Sequence, residues 1–397
     1  MRMKKLMILA VAAIALAACS RTFEHHAVEG TPIGFGTWTE TLTKARAAAN
    51  DNTAFANGEA FDVYGFKTIP GDTPTNSVVF NGEDVTATVS GSSVTWDYTQ
   101  KRFWDPAASS YTFFAVLPAN QLGEATQGYP YATTGRFNSS TISFNNPNAL
   151  SNDILVGKAV ATPSGNGPYS YTAYQQSPYV QIQFNHIASC IDLKLKKDSQ
   201  LGNAEVKITA LSLLNIENSG TFAVSGYGDS SPYYPTVAWT PAETPTYLET
   251  TASTGEYSVT LPSGGATASG STTYTNHVAS TEGTPGEVFS GYVFMPQTIH
   301  TSGTKQGIKF TYSISVGGED PIVYADNIID FCNFLTDDKD IKAANYTETE
   351  NALRILSWAP KTKYTFIITI GAANAITFSA TVNNWELSGT GYQYLVQ

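Results

Sequence analysis

A cysteine near the start of the sequence has a context suited to covalent lipid attachment. Cys19 follows Leu16, Ala17 and Ala18, which resembles the bacterial lipobox. In that motif the peptidase requires small residues before a cysteine whose sulfur has received a diacylglycerol group. We therefore predict that Cys19 is lipidated, with palmitate among its acyl chains, and that two or more chains anchor it firmly to a membrane.

The residues before Cys19 have the layout of an export signal. Arg2, Lys4 and Lys5 form a basic region, and the apolar run of residues 6–17 follows it. This run is too short to span a bilayer as a helix, which needs about 20 residues. We predict a lipoprotein signal peptide at residues 1–18 and a protein held at the outer membrane, on the cell surface, by lipid on Cys19.

Histidine and carboxylate side chains do not form a recognisable catalytic or metal-binding pattern. The last three histidines, His186, His277 and His300, lack the spacing that a metal-binding helix or hairpin uses. The acidic run at residues 337–340 lacks the glycine and distal glutamate of an EF-hand loop and is interpreted as a helix start. The sequence also contains no nucleophile elbow, phosphate loop or dinucleotide fingerprint. We predict no enzymatic activity, no metal and no cofactor.

Length and composition limit the remaining classes of protein. The chain has 397 residues, of which 42% are hydrophobic and 14% charged, and this favours about two folded domains. A net charge of −11 would repel a phosphate backbone, so nucleic acid is excluded as a partner. Cys190 and Cys332 could pair in an oxidising compartment or remain separate buried thiols, and the sequence leaves both readings open.

Short runs of Thr, Tyr, Val, Ile and Phe, separated by Gly, Pro, Asn and Ser, predict an all-β fold. Clear strand candidates are residues 61–66, 111–117, 206–213 and 364–370. A short helix is predicted within residues 337–344, and the Ser/Gly/Thr-rich residues 261–285 are predicted to form a long surface loop. A Gly/Pro/Ser/Tyr-rich stretch at 159–178 places a domain boundary near residue 180.

Aromatic residues cluster in one short stretch of the first half. They are Trp96, Tyr98, Phe103, Trp104, Tyr111, Phe113 and Phe114. Such rings could stack on sugars, but aromatic residues in alternating strands more often form a core. The absence of catalytic patterns then favours a binding or structural protein.

The order of motifs resembles the fimbrillin (Mfa-like) family, the pilin subunits of type V pili. The matching segments are TKARA at 43–47, FDVYG at 61–65, VFNG at 79–82, WDY at 96–98 with FW at 103–104, YTFFAVLP at 111–118, FNHIAS at 184–189, SGTF at 219–222, FMPQ at 294–297, WAPK at 358–361 and TVNNW at 381–385. Each motif is weak alone, and the ordered series is fairly specific.

The resemblance implies a fold and an assembly mechanism. It implies two tandem β-sandwich domains of the transthyretin-like Greek-key type, here residues 47–180 and 181–397, after a leader at 19–46. An arginine-specific protease would cut after Arg46 to leave Ala47 as the new first residue. Loss of the first strand would open a groove that a strand from a neighbouring pilin subunit fills.

Several segments of this sequence can supply those parts. Arg46 lies among alanines and polar residues, which favours an accessible cleavage loop. Residues 33–42 are the candidate removable strand, and the tail bearing Tyr392, Tyr394, Leu395 and Val396 is the candidate donor strand. The tail could equally be the last strand of the second domain. A shaft, tip or anchor role, and any host or bacterial surface receptor, stay open.

Two hypotheses of different classes follow. The first is a structural or adhesive subunit of a surface fimbria, assembled with other pilin subunits. The alternative is a monomeric outer-membrane surface lipoprotein that binds glycans through its aromatic residues.

Overall fold

The computed structural model describes most of the chain after the leader. The described residues are 32–37, 43–45, 52–54, 57–71, 76–90, 93–122, 137–149, 153–163, 171–173, 179–226, 235–250, 255–269, 271–275, 278–282, 284–336, 348–349, 352–371 and 376–384. No helix within these ranges is long and apolar enough to cross a membrane.

The described residues form thirty strands and two short 3-10 turns, at Ser199–Leu201 and Phe331–Asn333. The first fifteen strands are β1 (Gly34–Thr37), β2 (Thr43–Ala45), β3 (Asn52–Ala54), β4 (Ala60–Thr68), β5 (Asn76–Ser90), β6 (Ser93–Asp97), β7 (Ser110–Leu117), β8 (Phe137–Asn138), β9 (Ile142–Ser143), β10 (Leu155–Pro163), β11 (Tyr171–Ala173), β12 (Tyr179–His186), β13 (Ser189–Asp198), β14 (Glu205–Leu214) and β15 (Ser219–Ser225).

The remaining strands are β16 (Thr236–Pro241), β17 (Glu256–Ser258), β18 (Ala266–Thr267), β19 (Ser271–Thr275), β20 (Val278–Glu282), β21 (Gly286–Phe294), β22 (Gln297–Thr298), β23 (Gly307–Ser315), β24 (Ile322–Asp330), β25 (Leu335–Thr336), β26 (Glu348–Thr349), β27 (Ala352–Arg354), β28 (Ser357–Trp358), β29 (Thr362–Ile370) and β30 (Ile376–Asn384). The all-β class and the four clear strand candidates are confirmed.

The first half of the chain builds an eight-stranded sheet. Its order is β1-β12-β10-β7-β4-β5-β6, and β11 pairs with β10. Alternation in β4 directs Phe61 and Val63 to one face and Tyr64 and Phe66 to the other. Both faces are covered, so the sheet separates two apolar clusters. On the face that bears Phe61, the sheet packs in one cluster with Ile33 and Phe35 from β1 and its first flanking residue.

A four-stranded sheet covers the opposite face. It joins β8 and β9 to β15 and β16, which lie far apart in sequence. Phe222 and Val224 of β15 pack with Tyr64, Phe114 and related residues of the first sheet. β15 and β16 therefore pack against the first half of the chain, although they follow residue 180. The division into two domains at that residue stays a prediction.

The second half contains two sheets that share one core. One is nine-stranded, with the order β20-β19-β13-β29-β30-β25-β27-β26 and with β21 paired to β13. The other is five-stranded, with the order β17-β14-β23-β24 and with β18 paired to β14. Leu193 of β13 and Phe366 of β29 pack in the same cluster as Ile208 of β14 and Phe310 of β23. Residues of the two sheets therefore bury one another in a single apolar core.

One sequence expectation was wrong. Residues 261–285 do not form a single long loop, because β18, β19 and β20 all lie within them. β18 pairs with β14, and β19 pairs with both β13 and β20. Threonine is common in this stretch, and its branched side chain suits strands despite its polarity. The helix predicted within 337–344 lies outside the described residues.

Cys190 and Cys332, the cysteines among the described residues, are both free thiols and buried. Cys190 packs beside Phe144 and Met295, whereas Cys332 belongs to the core of the second half. Burial raises the pKa of both thiols. Of the two readings left open, separate buried thiols is the one observed.

A pair of carboxyl groups is held between neighbouring strands of the first sheet. Asp62 of β4 lies opposite Asp84 of β5, and Asp62 is only 4% exposed. The Asn120 backbone N–H donates to Asp62 Oδ2 at 2.6 Å. Burial, followed by the hydrogen bond with Asp84, raises the pKa of Asp62 to about 7. Asp62 therefore keeps its proton at mildly acidic pH.

This proton should make stability depend on pH. The folded pKa of Asp62 lies above the unfolded value of about 3.9, so its stabilising contribution is full below pH 4 and is lost as the pH rises through 7. We expect urea unfolding to show a falling free energy over that window, by up to about 1.4 kcal/mol per pH unit. Asp62→Asn should remove this component, since the amide keeps the hydrogen bonds without ionising. Asp320→Asn, at an exposed site, is the matched control. An unchanged slope in Asp62→Asn would contradict the assignment.

Candidate functional site

The strand from the leader is enclosed on two sides. On one side β1 pairs in parallel with β12, from Gly34 opposite Tyr179 to Thr37 opposite Ile182. On the other side it lies against residues 98–103, where Pro32 bridges to Phe103. We call the space between β12 and residues 98–103 the β1 slot. A strand that belongs to the leader therefore completes the first sheet.

Backbone hydrogen bonds hold the start of β1 in the slot. The Ile33 N–H donates to the Arg102 carbonyl at 2.8 Å. The Tyr98 hydroxyl donates to the Ile33 carbonyl at 2.7 Å and accepts the Arg102 N–H at 3.1 Å. Burial raises the pKa of Tyr98, so the hydroxyl keeps its proton as a donor. These hydrogen bonds involve only the backbone of the strand and do not depend on its side chains.

The side chains of β1 point into the core at alternate positions. Ile33 is 1% exposed and Phe35 is 3% exposed, whereas Gly34 between them is only partly buried. This is the period of two expected of a strand with one buried face. The segment therefore behaves as part of the core and not as a loosely attached leader.

Four rings surround Phe35 and form what we call the aromatic cage. The centroid of Phe35 lies 6.2 Å from Phe61, 5.3 Å from Phe80, 5.8 Å from Tyr98 and 5.7 Å from Phe113. All four contacts are edge-to-face, the arrangement that the ring quadrupole favours. The cage draws one ring from each of β4, β5 and β7 and one from the turn after β6. Removal of β1 would leave this apolar pocket open.

The turn that forms the outer wall of the slot is fixed by polar contacts. Asp105 accepts a hydrogen bond from Lys67 of β4 at 2.5 Å, and its backbone N–H donates to the Tyr111 hydroxyl at 2.6 Å. Burial alone would raise the pKa of Asp105, but the hydrogen bond from Lys67 brings it below its usual range. Asp105, which follows the wall in sequence, is therefore tied to the central strands β4 and β7.

Comparison with known proteins identifies the family to which the chain belongs. Residues 43–385 match the family described as fimbrillin-like. The chain belongs to the fimbrillin-like family. This membership makes it a subunit of a pilus or adhesive structure at the cell surface and not an enzyme. The match starts just before Arg46, so β1 lies upstream of it.

One solved structure shares the fold at low sequence identity. A fimbrial protein from Bacteroides vulgatus aligns with a TM-score of 0.51 at 16% identity, covering 89% of this fimbrillin-like chain and 99% of that one. The tip fimbrial protein Mfa3 from Porphyromonas gingivalis, with a C-terminal truncation, aligns with a TM-score of 0.37 at 10% identity, covering 86% and 97% of the two chains. No curated protein sequence shows significant similarity to this chain.

Some of the predicted site residues lie within the described part of the chain, and the others lie outside it. Part of the candidate removable strand, residues 33–42, is seen as β1 in the slot. Cys19, Arg46, Ala47 and the tail residues Tyr392, Tyr394, Leu395 and Val396 lie outside the described residues. Their roles in this fimbrillin-like chain stay predictions. β2, which ends at residue 45, pairs with β3, which begins at residue 52.

The aromatic cluster lies mainly in the core of this fimbrillin-like chain. Tyr98, Trp104, Tyr111, Phe113 and Phe114 are buried, and Trp96 is partly buried. Phe103 is the exception, with 49% of its surface exposed beside Pro32. The rings therefore build the cage and the sheet, and they do not present a stacking platform for sugars.

Sequence reasoning missed the cage and the wall of the slot. Phe80 and Phe113 were visible as strand residues, but nothing in their spacing shows that they meet around Phe35. The signal that could have found them is Gly65, a glycine in the middle of an apolar strand. A Cβ at Gly65 would lie 2.8 Å from a ring carbon of Phe80 and 2.9 Å from one of Phe113.

Gly65→Ala should therefore loosen the slot. The added methyl would displace two buried rings, and we expect a loss of about 1–3 kcal/mol in the free energy of unfolding. Urea unfolding followed by tryptophan fluorescence measures this. Gly71→Ala is the control for a glycine without close neighbours, although its positive φ carries its own strain. Equal stability of Gly65→Ala and the unmodified protein would contradict the close packing around the cage.

Proposed function

We propose that this chain is a pilus subunit that is exported as a lipoprotein, cut after Arg46 and joined to its neighbours by exchange of a β-strand. The observation that carries the proposal is the β1 slot, in which a strand upstream of Arg46 fills a gap in the first sheet. Cleavage would cut the covalent link between that strand and the domain it completes. Addition of a partner strand to a sheet edge is an established mode of recognition.

The chemistry of an emptied slot supports the exchange. Loss of β1 would leave the β12 edge, the Arg102 carbonyl and the Tyr98 hydroxyl without the partners that β1 now supplies. It would also expose the apolar surfaces against which Ile33 and Phe35 now pack. Burying two such side chains is worth about 1.5–3 kcal/mol each, and the backbone hydrogen bonds add to it. A strand from another subunit would recover this energy.

The proposed donor is the C-terminal tail of a neighbouring subunit. Residues 391–397 carry no charged side chain, so their burial in an apolar slot would not desolvate an ionised side chain. In a strand, Tyr392, Tyr394 and Val396 would lie on one side and Gln393 and Gln397 on the other, because side chains alternate with a period of two. In this proposal lipid on Cys19 holds the chain at the outer membrane until cleavage at Arg46 separates the leader. Other pilin subunits and a host or bacterial surface receptor are the proposed partners.

Deleting residues 391–397 tests the role of the tail. Export and cleavage after Arg46 should be unaffected, because those steps act on the other end of the chain. Polymerisation should stop, because the emptied slot receives no strand. The readouts are N-terminal sequencing of surface-extracted protein, expected to start at Ala47, and a ladder of oligomers resistant to sodium dodecyl sulfate.

A variant with residues 391–397 replaced by glycine and serine is the length-matched control and should also fail to polymerise. A normal ladder from the deletion would place the donor strand elsewhere. Insoluble product would show that the tail belongs to the core of its own chain. A mature form that still begins at Cys19 would favour the monomeric lipoprotein.

A further inference from the structure

The β1 slot has two adjacent apolar positions of different size. One holds Ile33 and the other, two residues along, holds Phe35 inside the aromatic cage. The rings of the cage are themselves buried and tightly packed, so the second position suits one planar ring. The slot therefore distinguishes strands by the order of an aliphatic and an aromatic residue.

We propose that the slot admits a second copy's tail in the direction opposite to β1, with Tyr394 in the place of Phe35 and Val396 in the place of Ile33. This inference rests on the proposed strand exchange and adds the direction and the pocket of each residue. In β1 the aliphatic residue precedes the ring along the chain. An incoming strand that ran the same way would need the same order.

If the tail ran in the same direction as β1, it would need an aliphatic residue two positions before an aromatic one, and it has none. The residues two positions before its three aromatic residues are Asn383, Thr390 and Tyr392, and none is aliphatic. In the opposite direction the aromatic residue must come first, and two pairs qualify. Trp385 with Leu387 is one, and Tyr394 with Val396 is the other.

Size and position favour the second pair. Trp385 directly follows β30, which ends at Asn384, and its indole is larger than the ring that the cage now holds. Overpacking a buried site is destabilising. Tyrosine differs from phenylalanine by one hydroxyl group, and valine differs from isoleucine by one methylene, so Tyr394 and Val396 change the filled volume far less than the Trp385 indole would.

The backbone partners in the slot accept a strand of either direction. The Tyr98 hydroxyl donates to any carbonyl placed beside it, and the Arg102 carbonyl accepts any N–H. β1 pairs with β12 in parallel, and antiparallel pairing is slightly more stable per residue. Antiparallel pairing with β12 therefore favours the incoming strand over β1, while the contacts of Tyr98 and Arg102 are remade with the N–H and C=O groups of a strand that runs the other way.

The first test compares the rate of ladder formation in samples cleaved after Arg46. Tyr394→Ala should polymerise at least about tenfold more slowly, because it leaves a cavity in the cage. Tyr394→Phe should match or exceed the unmodified chain. Leu395→Ala is the matched control, since residue 395 would take the place of Gly34 on the other side of the strand, and its rate should stay within about threefold. Equal loss in Leu395→Ala and Tyr394→Ala would overturn the assignment.

The second test determines the direction of the incoming tail relative to β12 by disulfide cross-linking between subunits. In the proposed arrangement Gln393 lies beside Gln181, and Leu395 lies beside Tyr179. The pairs Gln181→Cys with Gln393→Cys and Tyr179→Cys with Leu395→Cys should therefore both cross-link. If Gln181→Cys cross-links with Leu395→Cys instead, the strand runs parallel to β12 and the proposal fails. A cross-linked species with the mobility of a monomer would show the tail in its own slot, which overturns the second copy as occupant.

Failure of this inference is distinguishable from failure of strand exchange itself. A normal ladder from Tyr394→Ala, together with loss of the ladder on deletion of 391–397, would refute the pocket assignment and leave the exchange standing. A normal ladder from both variants would refute the exchange by the tail.

Discussion

Replacing Arg46 with alanine is expected to abolish the detergent-resistant ladder while leaving export and folding intact. The uncut chain keeps β1 covalently joined to the domain it completes. A tethered strand competes at an effective concentration in the millimolar range, which an untethered tail at cellular concentrations cannot match. With Ile33 and Phe35 buried, β1 would hold the slot in nearly every molecule.

The control restores cutting without the arginine. A recognition sequence for an unrelated protease, placed within residues 46–51 of Arg46→Ala, should give no ladder until that protease is added. The readouts are the chain mass before and after digestion and the oligomer ladder. Oligomers formed by uncut Arg46→Ala would show that β1 does not block the slot. No ladder after complete digestion would show that the leader has a further role.

Replacing Cys19 with alanine should abolish incorporation of labelled palmitate and leave unprocessed precursor. The thiol is the only atom to which the diacylglycerol can be attached in the lipobox, so no partial effect is expected. Ser20→Ala is a neighbouring control that should be labelled normally. Mass spectrometry of the first peptide separates a lipidated Cys19 from a cut chain without lipid. Label that persists in Cys19→Ala would refute the lipobox prediction.

The strands were predictable because their signals are local. Alternating aromatic and branched residues in 61–66 and 364–370 predict β4 and β29 directly. The Ser/Gly/Thr-rich segment misled because composition does not show pairing, and β19 is a strand through its partners β13 and β20. The membership of β15 and β16 in a sheet with β8 and β9 depends in the same way on contacts between distant segments.

The candidate site was predictable only in part. The resemblance implied a removable strand, but the alternation of Ile33 and Phe35 alone does not say which sheet they enter. The cage assembles from Phe61, Phe80 and Phe113, and register decides whether such rings meet. The hydrogen bond from Tyr98 to the Ile33 carbonyl joins residues 65 positions apart and leaves no sequence signature.

The four-stranded sheet has a mechanical consequence for a fibre built from such subunits. In the proposed strand exchange, pulling on a fibre would load each subunit between the slot and the tail, and β12 and β13 are joined in the chain by residues 187–188. There the Trp239 indole N–H donates to the Ile187 carbonyl at 2.6 Å, and the sheet that carries Trp239 packs on both halves of the chain. This packing ties the two halves together, so a load on one half would be passed to the other by more than the connecting residues. The subunit should extend as one body, with the exchanged strand as the element that determines how much load the fibre bears.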